Sequence, residues 1–357
     1  MICRHDLSAR SGFLHGINVP WFNADSYGCD IGCSHRRMDS RFDPARVEAV
    51  FRNGRSVGFD CIRIWLFEIM EGIRFDADGF ATGFDPFFVR NLHTLLDIAG
   101  RIGIDLLVTF QPHISFSMQY PDEYGFYTRI LHEPRHTDRF ITNCVRPLAR
   151  LLAACPQVMM VDLYAEPEGD VTGPQGNGQP YGGSWDSMHR YLAAVAGALR
   201  EEAPGLPLTV ASGWRKYDSL REGRYNDLGL DCIGVDIYDD AGIVEPAATL
   251  GTDGIPVWLA EFGPETKDDW DEETYTQNTL SFYRNARAAG YIGAFHWMYG
   301  YAGSGESLTL EGKDGRLRPV ADHIRALVLE DRAAGGEPPR PELLSVVPGR
   351  VEWFPVS

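Results

Sequence analysis

The chain has 357 residues, of which 44% are hydrophobic, 23% charged and 12% aromatic, and a formal net charge of −17. Such a length allows two average domains or one large single-core domain. The acidic balance argues against a nucleic-acid backbone as partner, which needs clustered lysine and arginine, and no window approaches the run of about 20 apolar residues that crosses a bilayer.

The opening "MICRHDLSARSG" has no continuous apolar stretch followed by a small-residue cleavage site, so a cytoplasmic protein is expected. Seven cysteines (3, 29, 33, 61, 144, 155, 232) form no framework spacing. Several sit in apolar runs such as "DCIRIW" and "DCIGVD", where a reduced thiol packs as a small hydrophobe. The "CDIGCSH" cluster of Cys29, Cys33 and His35 matches no common zinc spacing, so no metal and no cofactor are expected.

"GFLHGINVPWF" (12–22) reads as a first strand, and "DPARVEAVFRNGRSVG" (43–58) as a helix with proline just inside its start. "FDCIRIWLF" (59–67) is strand two, followed by the helix "DPFFVRNLHTLLDIAGRIG" (85–103). "IDLLVTFQ" (104–111) is strand three, and its helix (137–155) carries Pro147, a potential kink. "VMMVDLYAE" (158–166) is strand four, before a long helix over 184–205. Strand five is "PLTVASGW" (207–214), with a weaker helical stretch around 216–224, and strand six is "LDCIGVDIY" (230–238). "IPVWLAEFG" (255–263) and "YIGAFHWMY" (291–299) are strands seven and eight, separated by a helix over 271–290. A last helix covers 318–334.

Eight near-continuous apolar strands alternating with helices predict a parallel sheet buried on both faces. Eight units in this length favour a single α/β domain, a closed (β/α)8 TIM barrel over residues 1–334. The tail, 335–357, starts as a linker and ends apolar, and is expected to pack back on the barrel. Neither GxGxxG after strand one nor GxxxxGK[ST] is present, against a nucleotide site.

Catalytic groups of such barrels project from the C-terminal strand ends. The polar and aromatic residues there are Asn18, Arg63, His113, Glu166, Asp236, Tyr238, Glu261 and Trp297. Singly, each has an ordinary explanation: a strand-end glutamate caps a helix, a tryptophan packs in a core, an arginine pairs with a carboxylate. Their joint arrangement points to a site. Glu166 on strand four and Glu261 on strand seven face one another across a single barrel mouth, which suits two-carboxylate glycoside cleavage.

At these residues the sequence resembles clan A of the glycoside hydrolases, most closely the cellulase-like family 5. That clan carries its acid/base glutamate at the end of strand four, usually in Asn-Glu-Pro, and its nucleophile at the end of strand seven. The matching stretches are "AEP" with Glu166 and "AEFG" with Glu261. The resemblance also implies substrate-binding roles for Arg63 in "IRIW", His113 in "FQPH", Tyr238 in "DIY" and Trp297 in "FHWMY". It spans roughly 12–334. Two positions depart: Ala165 stands where the family has asparagine, and Asp236 where it has histidine. The family asparagine donates to the sugar 2-hydroxyl, so the substrate differs there or another side chain fills the gap, His113 first.

The chemistry is consistent with those roles. A nucleophile must be ionised, and Arg63 and the Tyr238 hydroxyl are expected to depress the Glu261 pKa. Glu166 is expected to be raised by burial and by the Glu261 charge. Trp297, Trp21 and Trp214 are candidate sugar platforms, with Trp65, Tyr120, Tyr124 and Tyr164 behind them. Glu68 and Glu168 are secondary candidates for hydroxyl contacts. The expected function is a retaining β-glycosidase acting on a small β-linked glycoside. The alternatives are a transglycosidase and a sugar-binding barrel that has lost activity. A metal- or phosphate-dependent barrel is a further class, with "YAGSGES" (301–307) as a phosphate loop. Against it, no strand-end set of three acidic ligands is apparent in the sequence.

Overall fold

The structure is a computed structural model. It describes residues 12–22, 30–32, 40–111, 121–172, 184–266, 270–300 and 308–335. Eight parallel strands close into a barrel: β1 (Leu14–Val19), β2 (Cys61–Trp65), β3 (Asp105–Thr109), β4 (Val158–Ala165), β5 (Leu208–Ser212), β6 (Ile233–Tyr238), β7 (Val257–Gly263) and β8 (Gly293–His296). Each pairs with its sequence neighbour, and β8 closes on β1 with Leu14 opposite Gly293. All eight fall inside the stretches read from the sequence. Their residues are almost entirely buried, as expected of strands covered on one side by helices and on the other by the barrel's own filling.

Helix boundaries follow local chemistry. Helix α1 (Pro44–Val57) starts where the Asp43 carboxylate accepts from the Ala45 amide, and stops at Gly58, whose φ of 101° only glycine adopts without strain. Helix α2 (Pro86–Ile102) repeats the device with Asp85 and Gly103. The segment expected as one helix over 137–155 contains a five-residue π turn, Ile141–Val145, immediately before Arg146-Pro147. Proline has no N–H to donate and its ring crowds the preceding turn, so the helix widens there rather than breaking.

Two features were not read from the sequence. An antiparallel hairpin, Ile73–Phe75 with Ala81–Phe84, follows β2. Between β6 and β7 the described residues form a short 3-10 turn, Ala247–Thr249, in place of a full helix. The final helix, α3 (Val320–Gly335), is tied to the N-terminal ends of β1 and β2: Asp331 bonds His15 at 2.9 Å and Arg332 bonds Asp60 at 3.0 Å.

Apolar residues fall into two main layers. The larger lies between strands and helices. A smaller cluster, including Cys61, Leu107, Met160, Trp258 and Phe295, fills the barrel interior. Side chains alternate along a strand, so Cys61, Leu107 and Met160 share a face with Arg63, Thr109 and Asp162, two residues further on. The interior is thus apolar below and polar above. Of the cysteines among the described residues, Cys61, Cys144 and Cys232 are buried and Cys155 is half-buried. Residues 29, 33 and 35, the 301–307 loop and the tail beyond 335 lie outside the described residues.

Candidate active site

The polar layer is organised around Arg63. Its guanidinium is fully buried and donates to four strands: to Asn18 Oδ1 on β1 (3.0 Å), Thr109 Oγ1 on β3 (2.9 Å), Asp162 Oδ2 on β4 (2.7 Å) and Glu261 Oε1 on β7 (2.8 Å). Burial opposes the charge, but Asp162 and then Glu261 hold the guanidinium above its ordinary pKa. Asn18 is fixed in turn by donating to the Ala260 carbonyl at 2.9 Å. Asp162 also accepts from Thr109 Oγ1 and from the Ala211 amide. Arg63 therefore belongs to the site by holding Glu261, and it has no exposed edge to offer a substrate.

Glu261 accepts on both oxygens, from Arg63 and, at 2.9 Å, from the Tyr238 hydroxyl. The expected depression of its pKa does not follow. Burial outweighs the attraction of Arg63, Glu166 adds repulsion, and the carboxyl is pushed up to about 7. The bonding partners are those expected from the sequence, but removal from water is the larger effect.

Glu166 follows directly on β4. Its backbone has φ 58°, a left-handed conformation that costs a non-glycine residue about 1–3 kcal/mol. Pro167 disfavours the right-handed helical region for the residue before it, and the Glu166 amide donates to Ala211 O at 2.7 Å. The carboxyl comes to rest against Gly213, where an added Cβ would stand 2.1 Å from Oε1. Gly213 is itself held by Glu168, which accepts from its amide (3.0 Å) and from the hydroxyls of Ser212 and Tyr225. Glu168 is wholly buried, so it positions the β5 end rather than meeting sugar hydroxyls.

An oxygen of Glu166, one of Glu261 and one of Asp236 all lie within 4.8 Å of one another. The two glutamates thus converge at one rim, close enough to act as the carboxyl pair of glycoside cleavage. The convergence also corrects an expectation, since three strand-end acids do meet, from β4, β6 and β7. A dication among them would face the Arg63 guanidinium 2.8 Å from Glu261, and both Glu261 oxygens already accept bonds. The set is better suited to holding protons. Asp236 is the least compensated: it is buried, neither oxygen has a hydrogen-bond partner among the described residues, and burial, then Glu261, then Glu166 push its pKa well above its ordinary value.

Trp21, Trp65 and Trp297 form a cluster with ring centroids 5.5–6.2 Å apart, with Tyr238 packed against it. Trp21 donates its indole N–H to Glu68. Tyr238 links this buried cluster to Glu261, packing against the one and donating to the other. Trp214 is apart from it, 39% exposed on the loop after β5 and one residue beyond Gly213. It lines a surface groove with Arg215, Lys216, Ile237 and Asp239. Tyr164, a suggested platform, is instead fully buried and donates to Asp170. His113, Tyr120 and the Tyr124 side chain lie outside the described residues.

Sequence reasoning missed Asp162, Thr109 and Gly213. Asp162 had a signal, an acid inside an apolar strand two side-chain repeats before Glu166. Thr109 and Gly213 had none, because nothing in a threonine or glycine at a strand end distinguishes a partner from a spacer.

No family model matches the chain. In sequence it is similar to a mannan endo-1,4-β-mannosidase of Mytilus edulis, 24% identical over 238 residues; the match spans 62% of each chain. In structure it is similar to the β-1,4-D-mannanase of Cryptopygus antarcticus, with a TM-score of 0.66 at 17% identity, covering 89% of this chain and 90% of that one. A Streptomyces cattleya GH5_18 protein, solved in complex with Manb1-4GlcNAc, aligns with a TM-score of 0.62 at 19% identity over 92% of this chain and 82% of that one. The likeness to these structures covers the barrel fold as a whole.

Proposed function

We propose that this protein is a retaining β-glycosidase whose substrate is a β-linked mannoside. The observation that carries the reading is the approach of Glu166 and Glu261 to within 4.8 Å at one barrel rim. In this scheme Glu261, aimed by Arg63 and Tyr238, attacks the anomeric carbon. Glu166 protonates the departing oxygen, and later takes a proton from the water that releases the sugar, so configuration is retained. The mannoside preference rests on the mannan-cleaving relative in sequence and the mannanases in structure.

The test is hydrolysis of aryl β-mannosides, aryl β-glucosides and mannooligosaccharides by wild type, Glu166→Ala and Glu261→Ala, with the product anomer followed by NMR. The reading expects β-mannoside turnover with retention, lost by about 10³-fold or more in both variants. Inversion, or full activity without either glutamate, would overturn it. Comparing chain lengths also separates a small-glycoside enzyme from one that works on mannan.

A further inference from the structure

Asp236 stands out among the described residues of the polar layer. It is 3% exposed on β6, and neither Oδ1 nor Oδ2 has a hydrogen-bond partner. Its neighbours are well provided: Arg63 makes four bonds, Glu261 accepts two, and Asp162 accepts from Arg63, Thr109 and the Ala211 amide. Buried polar groups without partners are rare because the lost hydration is not replaced. The described residues supply no partner for either oxygen of this carboxyl.

Position says what the partner is. One Asp236 oxygen lies within 4.8 Å of an oxygen of Glu261 and of one of Glu166. In double displacement the first oxygen bonds to the anomeric carbon and the second protonates the oxygen attached to that carbon. A group this near both borders the anomeric centre and the substituent on the adjoining carbon, the 2-hydroxyl. Ala165, beside Glu166 at the end of β4, brings only a methyl and no polar side-chain atom.

The charges around Asp236 fix its form. Facing it are Glu261 from β7, Glu166 and Asp162 from β4, Arg63 from β2 and, on its own strand, Tyr238. The one cation among them already pairs with Asp162 and Glu261. A further anion there would be repelled on two sides and is almost entirely removed from solvent, whereas a protonated carboxyl carries no charge and presents a donor and an acceptor.

We propose that Asp236 touches the reacting sugar as a neutral carboxyl, donating a hydrogen bond to the 2-hydroxyl, and so sets specificity at that position. The inference rests on the glycosidase reading above and adds a third carboxyl to its reaction centre.

The experiment compares wild type, Asp236→Asn and Asp236→Ala on an aryl β-mannoside and its 2-deoxy analogue, across pH, with and without EDTA and with added calcium. Loss of a buried donor predicts a fall of about 10–100-fold in kcat/KM for Asp236→Ala on the mannoside, and of less than about 3-fold on the 2-deoxy compound, which has no hydroxyl to lose. Asp236→Asn is neutral and keeps a donor. It should stay within about 5-fold of wild type, with the acid limb of its pH profile unmoved because no charge has been removed.

Equal losses on both substrates, or none, would overturn the proposal. So would an acid limb displaced by a unit or more in Asp236→Asn, which would show that Asp236 carries a charge, or activity that EDTA abolishes and calcium restores, which would make the cluster a cation site. Matching thermal melts for Asp236→Asn and wild type separate a fold defect from a lost contact. Wild type inactive on every β-glycoside would sink the underlying glycosidase reading instead, whereas an active wild type with an unaffected Asp236→Ala sinks this inference alone.

Discussion

Arg63 and Asp162 form an ion pair at 2.7 Å with no solvent access at either end, and this pair aims the rest of the guanidinium at Glu261. Asp162→Ala would leave the buried cation with Glu261 as its remaining carboxylate partner at bonding distance. Breaking a pair of this kind costs about 3–5 kcal/mol. Urea unfolding should show that loss, with kcat falling because Glu261 is no longer held from behind. Asp162→Asn keeps the shape and one acceptor oxygen, enough for Thr109 or the Ala211 amide but not for both, and should cost less. An unchanged unfolding midpoint in Asp162→Ala would mean that Arg63 is anchored elsewhere.

Gly213 is a second supporting position, and it acts by lacking a side chain. A methyl there would collide with Oε1 and Cγ of Glu166, at 2.1 and 2.5 Å. These atoms belong to a side chain that can swing away, so Gly213→Ala should fold with nearly the wild-type melting temperature. The displaced carboxyl should lower kcat/KM by about 10²-fold, the cost of roughly 1 Å of misplacement. Melting and steady-state kinetics on one preparation decide it; wild-type kinetics would show that Glu166 needs no such clearance.

The Glu261 carboxyl gives a pH prediction with a definite sign. Its pKa rises from an ordinary 4.5 to about 7 in the folded protein, chiefly through burial. Below 4.5 it is protonated in both folded and unfolded chains. Between 4.5 and 7 the folded state holds more proton than the unfolded one, so stability falls as pH rises. At 1.36 kcal/mol per unit, the ionised carboxylate costs roughly 3 kcal/mol above pH 7. Glu261→Gln, neutral at every pH, should therefore unfold later than wild type at pH 8, with the gap closing toward pH 4.5. A variant less stable than wild type at pH 8 would contradict this.

The eight strands, the closed barrel and the two opposed glutamates were legible because they depend on periodicity and on strand ends, which a sequence displays directly. The direction of the Glu261 shift was not. Arg63 and Tyr238 were visible as partners, but the amount of water removed from Glu261 is a property of the closed barrel. The role of Glu168 was hidden for the same reason: a glutamate two residues past Glu166 looks like a loop charge until Ser212, Gly213 and Tyr225 surround it. The meeting of Asp236 with both glutamates joins three strands, and no spacing within one strand announces it.

The tryptophans divide by burial. Trp297, 8% exposed within its cluster, should behave as a core residue, and Trp297→Ala should cost about 3–5 kcal/mol. Trp214 is 39% exposed, so Trp214→Ala should leave the melt within about 0.5 kcal/mol of wild type. If its face receives a sugar ring, KM for a mannooligosaccharide should rise about 3–10-fold, from a stacking contribution near 1 kcal/mol. An unchanged KM would make it an ordinary loop residue.

The central claim is that Glu261 forms a covalent bond to the sugar. Incubation with a 2-deoxy-2-fluoro-β-mannosyl fluoride, followed by intact mass and peptide mapping, tests it most directly. The account predicts one fluoromannosyl group per chain, on the peptide carrying Glu261, with none on Glu261→Ala. An adduct on Glu166 or Asp236, or no adduct in a preparation that hydrolyses β-mannosides, would contradict it.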